Sequence, residues 1–185
     1  MPKISAEAYR ERRGRIMDAA RRCYLRKGIH ISVDEICAEA KVSKGALYGY
    51  FPSKEAVIQA IADEHIADLA GVRAASTAEE LVGALLERIN NGDRASCRIE
   101  LEAWAHALTR EQLRNRLMEN TGALRSSIEQ ALGRIVGERH TPSAIADAAL
   151  LVETMAMGLV ANAALGRDAE ARRMLAMLIA RMTGD

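Results

Sequence analysis

Residues 32–55 of the 185-residue chain read SVDEICAEAKVSKGALYGYFPSKE, and this segment has the clearest structural signals in the sequence. Ser32 followed by Glu35 is a capping box, in which each side chain bonds a free backbone N–H of the other residue, so a helix should begin here. Apolar residues then recur at the spacing of one helix face. They are Val33, Ile36, Cys37 and Ala40.

A second short helix should follow after a sharp turn. Ser43 is a suitable N-cap residue, and residues 41–42 leave little room for a longer connection. Pro52 should end the segment, because the residue before a proline is pushed out of the helical region. This second helix has polar, small and aromatic side chains where a buried helix would have leucines. Such a pair of helices is typical of a unit that enters the DNA major groove.

The run GALYGYFPSKE at residues 45–55 closely resembles the DNA-binding signature of the tetracycline-repressor (TetR) family. Residues 33–43 are similar to the first motif helix and turn of that family. The resemblance implies an all-α protein of about nine helices, in which a three-helix helix-turn-helix domain precedes a helical ligand-binding and dimerisation domain. We place the first domain at residues 1–52 and the second at residues 53–185.

The same resemblance implies which side chains meet DNA. Lys44 and Gly45 would lie nearest the base edges, where glycine lets the backbone approach closely. Lys44 could equally contact a phosphate without reading sequence, and both interpretations stay open at this point. The full predicted set is Ser32, Ser43, Lys44, Gly45, Ala46, Tyr48, Tyr50 and Lys54.

Other residues of the motif have a core interpretation. Tyr48 and Tyr50 are similar to tyrosines that contact phosphates in the family, but Tyr50 could instead pack beside Phe51. Leu47 and Phe51 are expected in the core. Gly49 stands where the family often has a bulkier residue, so one side-chain contact with DNA should be absent there.

Charge is distributed unevenly along the chain, although the net charge is only +1. Residues 1–55 contain 12 Lys/Arg and 7 Asp/Glu, whereas the remainder contains 14 and 18. A basic N-terminal part can bind phosphates, but charge alone fits an ordinary solvated surface equally well. One group of basic residues, Arg10, Arg12, Arg13 and Arg15, could reach the DNA backbone or the minor groove. A mobile basic tail is the preferred interpretation of these arginines.

The rest of the chain predicts helices only, because no segment alternates apolar and polar residues with a period of two. A fourth helix should run from Ser53 to about Gly71. Two further capping boxes are predicted, at Thr77 with Glu80 and at Thr109 with Gln112.

The last two predicted helices are apolar over a wide arc and rich in alanine and methionine. Small residues allow helices to approach closely, and methionine fills irregular gaps. The resemblance implies that this surface is the four-helix interface of a homodimer, since a palindromic DNA site requires a two-fold protein. The alternative is that both helices are simply buried in their own domain.

The composition argues against several other classes of protein. The 3 cysteines are scattered and odd in number, which argues against a disulfide framework and for a reducing cytosol. No apolar leader and no stretch approaching a membrane span are apparent, so we expect a cytoplasmic protein with no membrane partner. The 4 histidines are isolated from the cysteines, and no phosphate-binding loop or nucleophile elbow is present. We therefore expect no enzyme activity, no metal site and no cofactor.

A small-molecule site in the second domain is implied by the resemblance alone. Trp104 is the only aromatic residue after Phe51, so an aromatic cage for a cation cannot form in this domain. Any pocket should be aliphatic and methionine-lined, and a core without a pocket is the alternative. The candidate ligand-binding residues are Trp104, His106, Met118, Thr121 and Met155.

Two functions from different classes fit the sequence. The first is a homodimeric repressor that binds a pseudo-palindromic operator in double-stranded DNA and is released by a small apolar ligand. The second is a DNA-binding protein of the same fold with no small-molecule inducer, whose helical domain serves dimerisation or partner binding. An all-helical enzyme that contains the motif by accident is the third possibility.

Overall fold

The computed structural model describes residues 5–67, 69–91 and 94–184, except for the side chains of residues 29, 65–67, 90, 91, 94 and 95. The described residues form helices and no strand, in agreement with the predicted all-α class. The ten α-helices are α1 (Ala6–Lys27), α2 (Val33–Ala40), α3 (Lys44–Tyr50), α4 (Lys54–Ala67), α5 (Ala70–Ala74), α6 (Ala78–Asn91), α7 (Arg94–Ala107), α8 (Glu111–Val136), α9 (Pro142–Leu165) and α10 (Asp168–Thr183). Short 3₁₀ turns follow α1 and α8.

The chain divides into two compact units, Met1–Asp63 and Glu64–Asp185. The N-terminal unit contains α1, α2, α3 and the larger part of α4, and the C-terminal unit contains α5 to α10. This division falls inside α4, later in the chain than residue 52. The functional boundary after residue 52 stays a prediction.

The core of the N-terminal unit is built from one face of each of its helices. Leu47 and Phe51 are both buried in it, as the sequence predicts. Burial of a side chain the size of Leu47 contributes about 1.5–3 kcal/mol. The other large buried side chains of this unit are Ile16, Met17, Tyr24, Ile31, Ile36, Val57 and Ile61.

The predicted basic tail is part of a helix instead. α1 begins at Ala6, where the Ser5 hydroxyl accepts a hydrogen bond from the Ala8 backbone at 3.2 Å. The helix then continues without a break into the buried part that begins at Ile16. Because this cap starts the helix so early, the expectation of a tail is wrong for Arg10, Arg12, Arg13 and Arg15.

The described residues form one helix more than the nine expected, because the predicted fourth helix is divided. α4 ends at Ala67, and the five-residue helix α5 begins at Ala70. Gly71 lies inside α5 and does not end a helix. A Cβ atom on Gly71 would lie 3.1 Å from the Cβ of Ala84, so this glycine permits close packing of α5 on α6.

The two remaining capping boxes have different outcomes. The Thr77 hydroxyl accepts from the Glu80 backbone at 3.1 Å, and the Glu80 carboxylate also accepts from the Ser76 backbone at 2.8 Å. Hydrogen bonds from the Ser76 backbone and hydroxyl, and after them from the Thr77 backbone, lower the pKa of Glu80. The box at Thr109 is wrong. The Thr109 hydroxyl donates to the His106 carbonyl at 3.3 Å, so it closes α7 and does not open α8.

The C-terminal unit is organised around α9, which packs against α6, α7, α8 and α10. The inward face of α9 includes a carboxylate. Glu153 is buried and accepts a hydrogen bond from Arg125 of α8 at 2.5 Å, so this buried charge is compensated by an ion pair. A second arginine, Arg134, donates to the carbonyl oxygens of Arg73 and Ala75 at 2.6 and 3.0 Å and fixes the end of α5.

α9 is also long and apolar enough to cross a membrane, with 24 residues and a mean hydropathy of 1.7 over its most apolar window. The expectation that no stretch would approach a span is therefore wrong by length and composition. Those two properties are weak evidence for a membrane, because a helix buried in a protein core has them too. Here the contacts with four neighbouring helices explain the apolar inward face of α9.

Lys41, in the turn after α2, occupies the left-handed region at φ 56° and ψ 47°. It is the only non-glycine residue with positive φ in the described ranges. Such a conformation costs a residue with a Cβ atom about 1 kcal/mol relative to glycine. We expect Lys41→Gly to raise the free energy of unfolding by about that amount in urea denaturation followed by circular dichroism. Lys41→Ala is the control, since it removes the charge and keeps the Cβ; an equal gain from alanine would contradict the backbone explanation.

Candidate nucleic-acid interface

The start of α2 is fixed by the predicted capping box. The Ser32 hydroxyl accepts from the Glu35 backbone at 3.2 Å, and the Ser32 backbone donates to the Glu35 carboxylate at 2.8 Å. Lys27 of α1 also pairs with this carboxylate. The Lys27 ammonium and, after it, the Ser32 backbone and hydroxyl lower the pKa of Glu35 to about 2. The Glu35 carboxylate of the capping box therefore stays ionised at neutral pH.

The turn into α3 is held by local hydrogen bonds. The Val42 backbone donates to the Cys37 carbonyl at 3.0 Å, which folds the chain back at the end of α2. The Ser43 hydroxyl accepts from the Ala46 backbone at 3.1 Å and caps α3, as predicted. The angle between the two motif helices thus depends on residues next to the turn.

Two arginines of α1 form ion pairs with one glutamate on the outer side of α2. The Glu39 carboxylate accepts from Arg22 at 2.8 Å and from Arg26 at 2.7 Å. These two donors lower the pKa of Glu39, so its carboxylate remains ionised. The two ion pairs hold α2 on α1, and this stabilises the position of α3.

The outward face of α3 is small and polar, which is what entry into a groove requires. A Cβ atom on Gly45 would meet nothing nearer than the Ser43 hydroxyl at 4.0 Å, so the surface above this residue is open. Tyr48 has 49% of its surface exposed. The exposed residues of the helix are Lys44, Gly45, Tyr48 and Gly49, and Ala46 is half-buried.

Lys44 has a partner that the sequence analysis did not identify. Its ammonium lies 2.8 Å from the carboxylate of Asp34 in the first turn of α2, and both side chains are more than half exposed. The carboxylate raises the pKa of Lys44. The two residues are ten positions apart, and only the geometry of the turn brings them together. No sequence pattern announces such a pair.

Tyr50 is turned inward in this structure. Its hydroxyl is buried and has no hydrogen-bond partner among the described residues. Its ring lies 4.7 Å, centroid to centroid, from the ring of Tyr9 in α1. Next to it, the Arg13 guanidinium lies 5.0 Å from the ring centre of Phe51. A phosphate contact by Tyr50 stays a prediction, and it would require the buried hydroxyl to become accessible.

Tyr50→Phe separates the two interpretations of this residue. A buried hydroxyl without a partner is destabilising, so its removal should raise the free energy of unfolding by about 1 kcal/mol. If the hydroxyl meets a phosphate in the complex, affinity for operator DNA should fall roughly 5-fold, since one such hydrogen bond contributes about 1 kcal/mol. Tyr9→Phe is the control, because it keeps the ring contact. Unchanged affinity for Tyr50→Phe would assign Tyr50 to packing alone.

Lys54 and the two serines already have structural roles. The Lys54 ammonium donates to the Ile31 carbonyl at 3.1 Å, at the entrance to α2. Ser32 and Ser43 cap their helices, as described above. A phosphate contact by any of the three stays a prediction, and it would be made in addition to these bonds.

The five candidate ligand-binding residues differ in their exposure. His106 and Met118 are exposed, and Trp104 and Met155 are half-buried. Thr121 is buried, and its hydroxyl donates to the Leu117 carbonyl at 2.9 Å. The indole N–H of Trp104 is buried and has no partner among the described residues.

A cavity of about 20 Å³ lies in the middle of the C-terminal unit, which is room for one water molecule. Of the five candidates only Thr121 lines it. Arg88 and Glu100 line it too, and neither is among the predicted ligand-binding residues. Glu100 could have been selected from the sequence, because it is a charged residue between Cys97 and Ala103 on one face of α7, and both of these are buried. The other lining residues are Leu85, Ile89, Leu124, Ala156, Met157 and Val160.

A larger, open groove of about 320 Å³ lies between the end of α8, the start of α9 and the end of α10. Its walls are aliphatic, with His140 and Asp147 as the polar members. None of the predicted ligand residues lines it. In the part of the chain that is described, no three His, Cys, Asp or Glu side chains come together as a metal site would require.

Comparison with known proteins agrees with this architecture in both units. Residues 16–61 match the family of bacterial regulatory proteins of the tetR type, and residues 74–184 match the C-terminal domain of BetI-type transcriptional repressors. The structure of Salmonella enterica GusR superimposes with a TM-score of 0.72, covers 100% of both chains and is 24% identical.

Two curated relatives are similar to this chain in sequence. The HTH-type transcriptional repressor AcnR of Corynebacterium diphtheriae is 27% identical over 92% of this chain and 90% of its own length. The A-factor receptor protein of Streptomyces griseus is 38% identical over 47% of this chain, which spans only 34% of that protein. With the C-terminal family matched over more than half of the chain, and the helix-turn-helix in place, the protein belongs to the TetR family of DNA-binding transcriptional regulators.

Proposed function

We propose that the protein is a cytoplasmic, homodimeric repressor that binds a pseudo-palindromic operator through residues 1–52. The observation that carries this proposal is the open outward face of α3, where Lys44, Gly45 and Tyr48 stand on a firmly capped helix-turn-helix. Lys44 and Gly45 meet base edges in this proposal, and the other contacts go to phosphates or the groove wall. Those contacts come from Ser32, Ser43, Ala46, Tyr48, Tyr50 and Lys54.

The homodimer is supported by an apolar surface on the last two helices. Large apolar side chains are normally scattered on a protein surface, and a contiguous set marks an interface. On α9, Leu151 is 56% exposed and Leu165 is 71% exposed, and the space above Gly158 between them is open. Exposed residues of the same kind are Leu150 on α9, and Met174 and Met177 on α10. We assign this surface to the partner subunit.

The test is binding to the promoter of the protein's own gene. A gel-shift titration with footprinting should show one protected site with two half-sites about one or two helical turns apart. Two chains should bind per site. Equal binding to every sequence, with no footprint, would contradict the proposal.

Release by a small apolar ligand is the second part of the proposal. The buried indole N–H of Trp104 supports it, because a mainly apolar ligand with one hydrogen-bond acceptor would satisfy this donor, which has no partner among the described residues. The ligand must bind the form that leaves DNA more tightly than the form that binds DNA. A coupling of about 1–3 kcal/mol would weaken operator binding roughly 5- to 150-fold.

A second candidate function is favoured by the size of the cavity at Thr121. Room for one water cannot hold an inducer without rearrangement, so this cavity fits a regulator with no small-molecule inducer. Emission from Trp104, the only tryptophan, distinguishes the two. Apolar compounds should be titrated while emission and operator affinity are measured in parallel. Compounds that change emission at saturation but leave operator affinity unchanged would favour the regulator without an inducer.

A further inference from the structure

We infer that Asp34 is a specificity-determining residue, which holds the Lys44 ammonium at the base-facing end of α3 and keeps it away from phosphates. This inference rests on the proposed function, since it assumes that α3 enters the groove. It assigns a role to a residue of α2 that does not itself need to touch a base.

The geometry that supports this role is the 2.8 Å contact between the Lys44 ammonium and the Asp34 carboxylate. Lys44 is the first residue of α3, and Asp34 lies in the first turn of α2, so both stand at helix N-termini on the exposed side of the motif. The Lys44 side chain is 58% exposed and that of Asp34 is 70% exposed, so DNA can reach both.

A lysine ammonium has three N–H donors. It can therefore donate to Asp34 and to the O6 or N7 atom of a guanine at once, and the ion pair can persist in the specific complex. A phosphate is different, because it is an anion. A phosphate that approached Lys44 would also approach the Asp34 carboxylate and would be repelled by it. Asp34 thus penalises the nonspecific complex more than the specific one.

The matched variant is Asp34→Asn, which keeps the shape of the side chain and removes its charge. Affinity for random-sequence DNA should rise about 3- to 10-fold at 0.1 M salt, and the log-affinity against log-salt slope should steepen by about 0.9, because one more phosphate is neutralised. The preference for one base pair in each half-site should fall by a similar factor. Thermal melting should first show that the variant is folded.

Two controls separate this effect from a general change of charge. Asp18→Asn breaks an exposed ion pair with Arg21 that has the same 2.8 Å length, and it changes the net charge equally. It should leave the base preference unchanged. In a Lys44→Ala background, Asp34→Asn should lose its additional effect and match Asp18→Asn.

The outcomes decide the inference separately from the proposed function. If the wild-type protein shows no footprint, the proposed function fails at that step. If the wild type binds its site and Asp34→Asn leaves both the base preference and the salt slope unchanged, Asp34 has no role in specificity. An equal gain from Asp34→Asn and Asp18→Asn would likewise reduce the effect to net charge and overturn the inference.

Discussion

Leu151→Glu should convert the proposed dimer into a monomer and weaken operator binding by about 100-fold or more. Leu151 stands on the exposed apolar surface of α9 with 56% of its area accessible. A carboxylate in the centre of a helix interface must be desolvated without a partner, which costs several kcal/mol. A monomer then has one half-site to hold, and it loses the advantage of two linked contacts. Sedimentation velocity measures the mass, and a gel-shift titration measures the affinity.

Leu108→Glu is the matched control for this substitution. Leu108 is 81% exposed and follows α7, so the same chemical change is made at an exposed leucine of the C-terminal unit that belongs to neither α9 nor α10. We expect a dimer with operator affinity within about 2-fold of the wild type. A Leu151→Glu protein that stays dimeric would move the interface away from the first half of α9.

The helix-turn-helix was predictable because its signals are local. A serine cap, a capping-box glutamate and a proline each act within four residues, so Ser32, Glu35 and Ser43 take the predicted roles without help from the rest of the chain. The same kind of pattern failed at Thr109. There two helices are separated by only three residues, and the hydroxyl bonds the helix before it.

The contacts that adjust the site were not predictable, because they depend on the turn in three dimensions. Lys44 meets Asp34 across ten residues, and Tyr50 is covered by Tyr9 from another helix. Neither spacing corresponds to a helix period. The sequence names the residues on α3, but the neighbours that position or cover them come from α1 and α2.

The candidate ligand-binding residues stay predictions, and the sequence defines them less sharply for a different reason. Trp104, His106 and Met118 were chosen for residue type within a region where no motif exists. A pocket depends on how helix faces meet, and the small cavity involves Arg88 and Glu100 from two other places in the chain.

The second large effect concerns the first turn of the recognition helix α3. Gly45→Leu should leave the fold intact and weaken operator binding by about 30-fold or more. A side chain fits at Gly45 in the free protein, where a Cβ atom meets only the Ser43 hydroxyl at 4.0 Å. Replacement of a helical glycine should raise the free energy of unfolding by up to about 1 kcal/mol. On DNA the same side chain would hold α3 away from the bases, and several contacts of about 1 kcal/mol each would be lost.

Gly49→Leu is the control that makes this measurement decisive. Gly49 lies on the same helix, is exposed, and has nothing within 4 Å of its Cβ position, so the gain in stability should be similar. It lies one turn further from the end of α3 that we propose to point at the bases, and the family often has a larger residue at the position of Gly49. We therefore expect operator affinity within about 3-fold of the wild type for this variant. If both leucine variants bind DNA equally well, the backbone at Gly45 does not approach the bases, and α3 must enter the groove with Tyr48 and Gly49 leading.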